Sequence, residues 1–210
     1  MRTWIRVLRA AWAAVTLAAV MTQLVFGLAR PTFSVANFLS FFTIQSNLLA
    51  ALALLVLAVR GTEGVAAMWL RGLATLCMVT TGIVYVLLLS GLEEQLQTPI
   101  PWVNTVLHYA GPVLLLLDWF GDRSGPHLGA ARALLWLLYP LAWLGYSLVR
   151  GPIVDWYPYP FLDPRPGGYG PVIVACLGIA VVVSGLALLL ERFPRRRPRG
   201  ADQPARGGHR

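Results

Sequence analysis

Lysine is absent from the chain, and only 12% of its 210 residues are charged, nine of them carboxylates against 17 arginines. A soluble domain of this size carries about 25% charged residues. That shortage excludes a water-soluble globule and a disordered chain. Cysteine is nearly absent too: Cys77 and Cys176 both lie inside apolar runs, which excludes a disulfide framework and any Cys-based metal spacing. Of the three histidines, His127 falls in a short loop and His209 near the end, so neither completes a metal site with His108. That argues against zinc or haem. No Gly-rich phosphate loop, Walker pattern or GxSxG elbow occurs, and no cofactor is expected.

What the chain does have is apolar residue, 57% of the total, with a mean hydropathy of +0.65. A membrane-spanning helix needs roughly 20 such residues in a row. Six runs qualify: Ala10–Leu28, Phe38–Val59, Gly72–Leu89, Trp102–Phe120, Ala133–Val149 and Pro171–Leu190. The short breaks between them leave no room for a soluble domain. The expected fold is all-α, a six-transmembrane-helix bundle over residues 1–193, followed by a disordered basic tail over 194–210. The first run is longer than a signal-peptide core and ends at a poor cleavage site, so it reads as a retained helix.

The formal net charge of +8 then reports orientation. If both termini are cytoplasmic, 14 of the 17 arginines fall on the inner side, leaving Arg30, Arg150 and Arg165 outside. This pattern follows the positive-inside rule and calls for no nucleic acid. The tail's arginines read as a stop-transfer cluster, or as a contact with anionic lipid heads.

Polar residues inside a span need an account, because hydrocarbon solvates them poorly. Thr43, Ser46 and Asn47 recur three and four apart, on one helical face. Asn104 and His108 do the same on the fourth run, with Pro112 one turn later expected to kink it. At 1.5 Å per residue Thr43 and His108 both lie roughly 8–9 Å below the outer boundary. Tyr85 and Tyr146 fall at a similar depth. One reading makes Thr43 a nucleophile and His108 its general base, with Asn47, Asn104 or the phenols orienting the imidazole or stabilising an oxyanion. The other makes them interhelical hydrogen-bond glue. Asp118 and Trp119 lie near the inner boundary, apart from this layer.

The loop Asp155-Trp156-Tyr157-Pro158-Tyr159-Pro160-Phe161-Leu162-Asp163-Pro164 lies outside, above the polar layer. Its aromatics suit an interfacial belt, and its prolines suit a stiff lid. Asp155 is a candidate partner for the histidine.

Three segments carry a resemblance: Phe41-Phe42-Thr43-Ile44-Gln45-Ser46-Asn47; His108-Tyr109-Ala110-Gly111-Pro112 with Asp118-Trp119; and Trp156-Tyr157-Pro158-Tyr159-Pro160-Phe161-Leu162-Asp163. In order and spacing the chain resembles the bacterial six-span branch of the androgen-induced-gene-like membrane family. Animal members of that family are atypical threonine hydrolases of fatty acid esters of hydroxy fatty acids. The resemblance implies a bacterial plasma-membrane protein with Thr43 and His108 in the catalytic roles, Ser46 being a rival hydroxyl. It also implies a lipid-like fatty acyl ester as substrate. The alternatives are a lipid or small-solute carrier without chemistry, and a structural membrane subunit.

Overall fold

The computed structural model describes residues 3–94 and 99–193, and every regular element among them is helical. Helix α1 is Thr3–Leu28, α2 Val35–Ser40, α3 Phe42–Arg60 and α4 Val65–Val84, which runs on into a π-helical turn, Tyr85–Leu89. Then come α5 (Pro101–Thr105), a second π turn (Val106–Ala110) and α6 (Gly111–Gly121). A short α7 (Ala130–Leu134) leads through a 3-10 turn into α8 (Leu138–Val154), and α9 is Tyr169–Arg192. The basic tail expected over 194–210 lies outside the described residues, as do Arg2 and Gln95.

Among the described residues five helices are long and apolar enough to cross a membrane: Thr3–Leu28, Phe42–Arg60, Val65–Leu89, Ala130–Val154 and Tyr169–Arg192. The run Trp102–Phe120 is helical as well, but as an α–π–α succession. Pro112 supplies the reason, since it has no N–H to return to the carbonyl one turn back. The Gly111 amide bonds instead to the Val106 carbonyl, five residues earlier.

The run Phe38–Val59 is not one helix, which corrects the sequence expectation. The backbone leaves the helical region at Phe41 (φ −65°, ψ 129°), ending α2 at Ser40 and starting α3 at Phe42. Side chains take the carbonyls that helix amides would have used. Gln45 Nε2 donates to the Leu39 carbonyl at 2.9 Å, and Trp143 Nε1 to that of Ser40 at 2.9 Å. Tyr139 in turn donates to Gln45 Oε1 at 2.9 Å, tying the break to α8.

α1 packs on α3, α3 on α4, and α4 on α6. Small residues allow the close approach: Ala13 of α1 meets Ala50 and Ala51 of α3, with Leu54, Met78 and Leu115 completing a fully buried apolar layer. Outward-facing leucines and valines, among them Leu52, Leu55, Leu117, Leu141 and Leu177, remain exposed.

At the end of the bundle where α3 ends and α4 begins, two arginines read from sequence as loop charges are buried inside helices. Arg9 of α1 pairs with Asp118 (2.7 Å) and Asp122 (2.9 Å), while Arg71 of α4 pairs with Asp118 (2.8 Å). Arg71 also donates to the backbone carbonyls of Asp118 and Asp122. One aspartate thus bridges three helices. Removing one partner of a buried pair strands the other, at about 3–5 kcal/mol. Asp118→Ala is therefore expected to lower unfolding stability in detergent by about that amount. The exposed Arg60→Ala should change it by less than about 0.5 kcal/mol. Equal midpoints for the two variants would show that the bridge does not hold the helices.

Candidate functional site

The break at Phe41 puts Thr43 in the first turn of α3. The opening amides of a helix have no partner within it, and its dipole points positive there. The Thr43 amide donates to the Tyr159 hydroxyl at 3.2 Å. Thr43 Oγ1 lies 3.3 Å from His108 Nε2 and 3.3 Å from the Tyr159 oxygen. One consistent proton arrangement links them: Tyr159 donates to Thr43 Oγ1, and Thr43 donates to Nε2 of a neutral imidazole that carries its proton on Nδ1. All three residues are buried, none more than 5% exposed. Burial pushes the Tyr159 phenol up, so it stays a protonated donor.

His108 sits in one π turn and Tyr85 opens the other. Their rings stack at 4.0 Å with an interplanar angle of 22°. π turns of this kind recur at functional sites because they displace a side chain from its helical register. The Tyr85 hydroxyl donates to Glu93 Oε1 at 2.7 Å and accepts from Asn104 Nδ2 at 2.7 Å, which fixes the ring over the imidazole. That hydrogen bond, with one from the Gly91 amide, holds the Glu93 carboxyl below the usual range. Close packing behind His108 comes from Gly82, where a Cβ would stand 2.9 Å from the Pro112 ring and 3.3 Å from the His108 carbonyl.

The remaining residues singled out from sequence divide cleanly. Asn47 donates to the Thr43 carbonyl at 2.9 Å and to the Leu107 carbonyl at 3.2 Å, joining the two helices that carry the pair. Ser46 is fully buried, and its hydroxyl has no partner among the described residues. Tyr146 does not join the layer: it is exposed and bonds the Ser40 hydroxyl at 2.8 Å. Asp155 pairs with Arg165 at 2.6 Å on the surface and makes no contact with the histidine. Asp118 lies in the cluster at the opposite end of the bundle. Among the described residues no group of three His, Cys, Asp or Glu side chains is placed to hold a metal.

Tyr159 is a member of the site that the sequence pattern does not single out. The aromatic loop reads in sequence as an outward belt, whereas Tyr159 and Leu162 are buried and Trp156, Tyr157 and Phe161 pack onto the core. The proline alternation was the available signal, since a stiff segment holds a fixed register.

A cavity of about 180 Å³ adjoins Thr43, walled by Phe42, Trp143, Leu144, Tyr159 and Ile179 and drawn largely from α4, α8 and α9. His108 is not part of its wall and lies behind Thr43. A hydroxyl thus faces a greasy space with a base at its back. Comparison with family models, curated proteins and solved structures finds no match for this chain.

Arg165 straps the loop, pairing with Asp155 and with Asp163 at 2.6 Å. Its guanidinium holds the Asp163 carboxyl below the usual range. A depressed carboxylate stabilises the closed loop above its unfolded pKa of about 3.9, and the effect fades as pH falls through the lower folded value. Proteolytic nicking of residues 155–168 by an acid-tolerant protease should stay flat down to about pH 5 and rise at lower pH. In Arg165→Gln it should already be high at neutral pH. A flat profile in both proteins would remove the strap.

Proposed function

We propose that the protein is a six-span bacterial plasma-membrane hydrolase of lipid-like fatty acyl esters, with both termini cytoplasmic. Its relatives are then the bacterial branch of the androgen-induced-gene-like family. The 21 helical residues from Pro101 to Gly121 support the sixth crossing. The arginine asymmetry supports the orientation: with Arg9 and Arg71 set aside as buried pairs, twelve arginines still fall inside against three outside.

The observation that carries the catalytic reading is the buried 3.3 Å approach of Thr43 Oγ1 to His108 Nε2 beside an apolar cavity. An acyl chain occupies the cavity and brings its ester carbonyl to Thr43. His108 Nε2 takes the hydroxyl proton as Oγ1 forms its bond to the carbonyl carbon. The oxyanion develops near the Tyr159 hydroxyl and the positive end of α3. His108 then protonates the leaving alkoxide as the ester C–O bond breaks, and the same base activates water to release the acid. No carboxylate backs the imidazole among the described residues; the stacked Tyr85 face stabilises the transient imidazolium instead.

A carrier would need a polar path from His108 to Asp118. Ala13, Ala50, Ala51, Leu54, Met78 and Leu115 form a buried apolar cluster between them, which favours chemistry over transport.

Purified protein should hydrolyse p-nitrophenyl esters of long-chain fatty acids. Thr43→Ala and His108→Ala should each lose at least about 100-fold in kcat, with Thr43→Ser partly active. Tyr85→Leu should lose roughly tenfold in kcat with KM little changed, the worth of one desolvated cation–π contact. Turnover by Thr43→Ala at the parent rate would overturn the assignment.

A further inference from the structure

The other end of the bundle holds a second, larger concavity of about 1250 Å³. Its walls are the N-terminal half of α1 and the C-terminal half of α6, and it is unconnected with the Thr43 cavity in any lining residue. The upper wall is apolar: Trp4, Leu8, Leu114 and Leu117 line it, and Trp4, Leu8 and Leu117 are all exposed. The floor is the ion-paired Arg9, Asp118 and Asp122, and the mouth carries Glu63 and Arg123 from the two adjoining loops. The groove therefore runs from hydrocarbon-like at one end to charged at the other. Its volume far exceeds a water site, and the exposed Trp4, Leu8 and Leu117 leave its apolar wall uncovered.

The charges decide what fits. The lining carries Arg9 and Arg123 against Asp118, Asp122 and Glu63, with the buried Arg71 pairing Asp118 from behind, so the groove offers no net attraction to an anion. Glu63 and Arg123 form no ion pair among the described residues. Arg123 lies over the Phe193 ring, 4.8 Å from its centroid, which restrains its guanidinium. Thr62 and Ser124, next in sequence to Glu63 and Arg123, hydrogen-bond to each other, so the two loops bring a carboxylate and a cation to one rim of an apolar groove, a match for a head group that itself carries both signs. A quaternary amine has no N–H to give, whereas a primary ammonium donates to a carboxylate.

We propose that the α1–α6 groove binds one diacyl glycerophospholipid bearing a phosphate and a primary amine. Its acyl chains lie along Leu8, Leu114 and Leu117, its phosphate meets Arg123, and its ammonium meets Glu63. The site sits where the arginine bias places the inner leaflet, so the bound lipid mortars α1 to α6 over the buried ion pairs.

The test is native mass spectrometry of the full chain in mild detergent, titrated with phosphatidylethanolamine, phosphatidylcholine or phosphatidylglycerol of matched chains. The expected result is one tightly retained phosphatidylethanolamine, bound about tenfold more tightly than either other lipid. That preference should vanish in the Glu63→Gln, Arg123→Gln double variant, whose substitutions are exposed and leave the fold intact. A second variant, Leu117→Trp, fills the groove without touching charge and should lower retention of all three lipids. Equal retention of the three lipids by the parent protein overturns the proposal. So does a preference for the anionic lipid, or a phosphatidylethanolamine preference that survives the double variant.

Discussion

At Phe41 the backbone turns out of the helix, and the first amides of α3 are left facing a loop instead of a preceding turn. In an apolar medium such groups need partners, because no water competes for them. The Tyr159 hydroxyl takes the Thr43 amide, and the same oxygen reaches the Thr43 side chain. The break therefore does three things at once. It draws the aromatic loop down onto the bundle, aligns a hydroxyl with the positive end of a helix, and turns that hydroxyl toward His108. Gln45 and Trp143 hold the break open by capping the two carbonyls before it.

Two groups of linked polar side chains stand at different levels of the bundle. Near the start of α3 lie Thr43, Asn47, Tyr85, Asn104, His108 and Tyr159; near its end lie Arg9, Arg71, Asp118 and Asp122. Between them the alanines of α1 and α3 pack against Leu54, Met78 and Leu115. The lower cluster bridges α1, α4 and α6 by charge. The upper one is held by hydrogen bonds and ring stacking, and among the described residues the imidazole makes no ion pair; the Glu93 carboxylate meets the Tyr85 hydroxyl instead. On the proposed reading that separation has a use: a base that must be neutral before attack sits well away from the Arg9, Arg71, Asp118 and Asp122 charges.

Hydropathy made the helical spans legible, because hydrocarbon demands long apolar runs whatever the tertiary detail. The 3.6-residue period placed Thr43, Ser46 and Asn47 on one face, and matching depths brought Thr43 opposite His108. Other features depended on contacts between distant elements and left little local trace. Phe38 to Phe41 contains no Gly or Pro, so nothing in it announces a break; the cause lies in Gln45 and in Trp143, about a hundred residues away. Tyr159 and Tyr146 look alike in sequence, yet loop register sends one to Thr43 and helix rotation sends the other to Ser40. Arg9 and Arg71 read in sequence as orienting charges because their partners, Asp118 on α6 and Asp122 just past its end, are remote in the chain.

The central claim is that Thr43 is an activated nucleophile, and a fluorophosphonate probe addresses it without a known substrate. Intact-mass analysis followed by peptide mapping should find a single adduct on the peptide containing Thr43, with fragment ions placing it on Thr43 and not on Ser46. The adduct should be missing in His108→Ala. An adduct on Ser46, or labelling that persists undiminished in Thr43→Ala, would contradict the account.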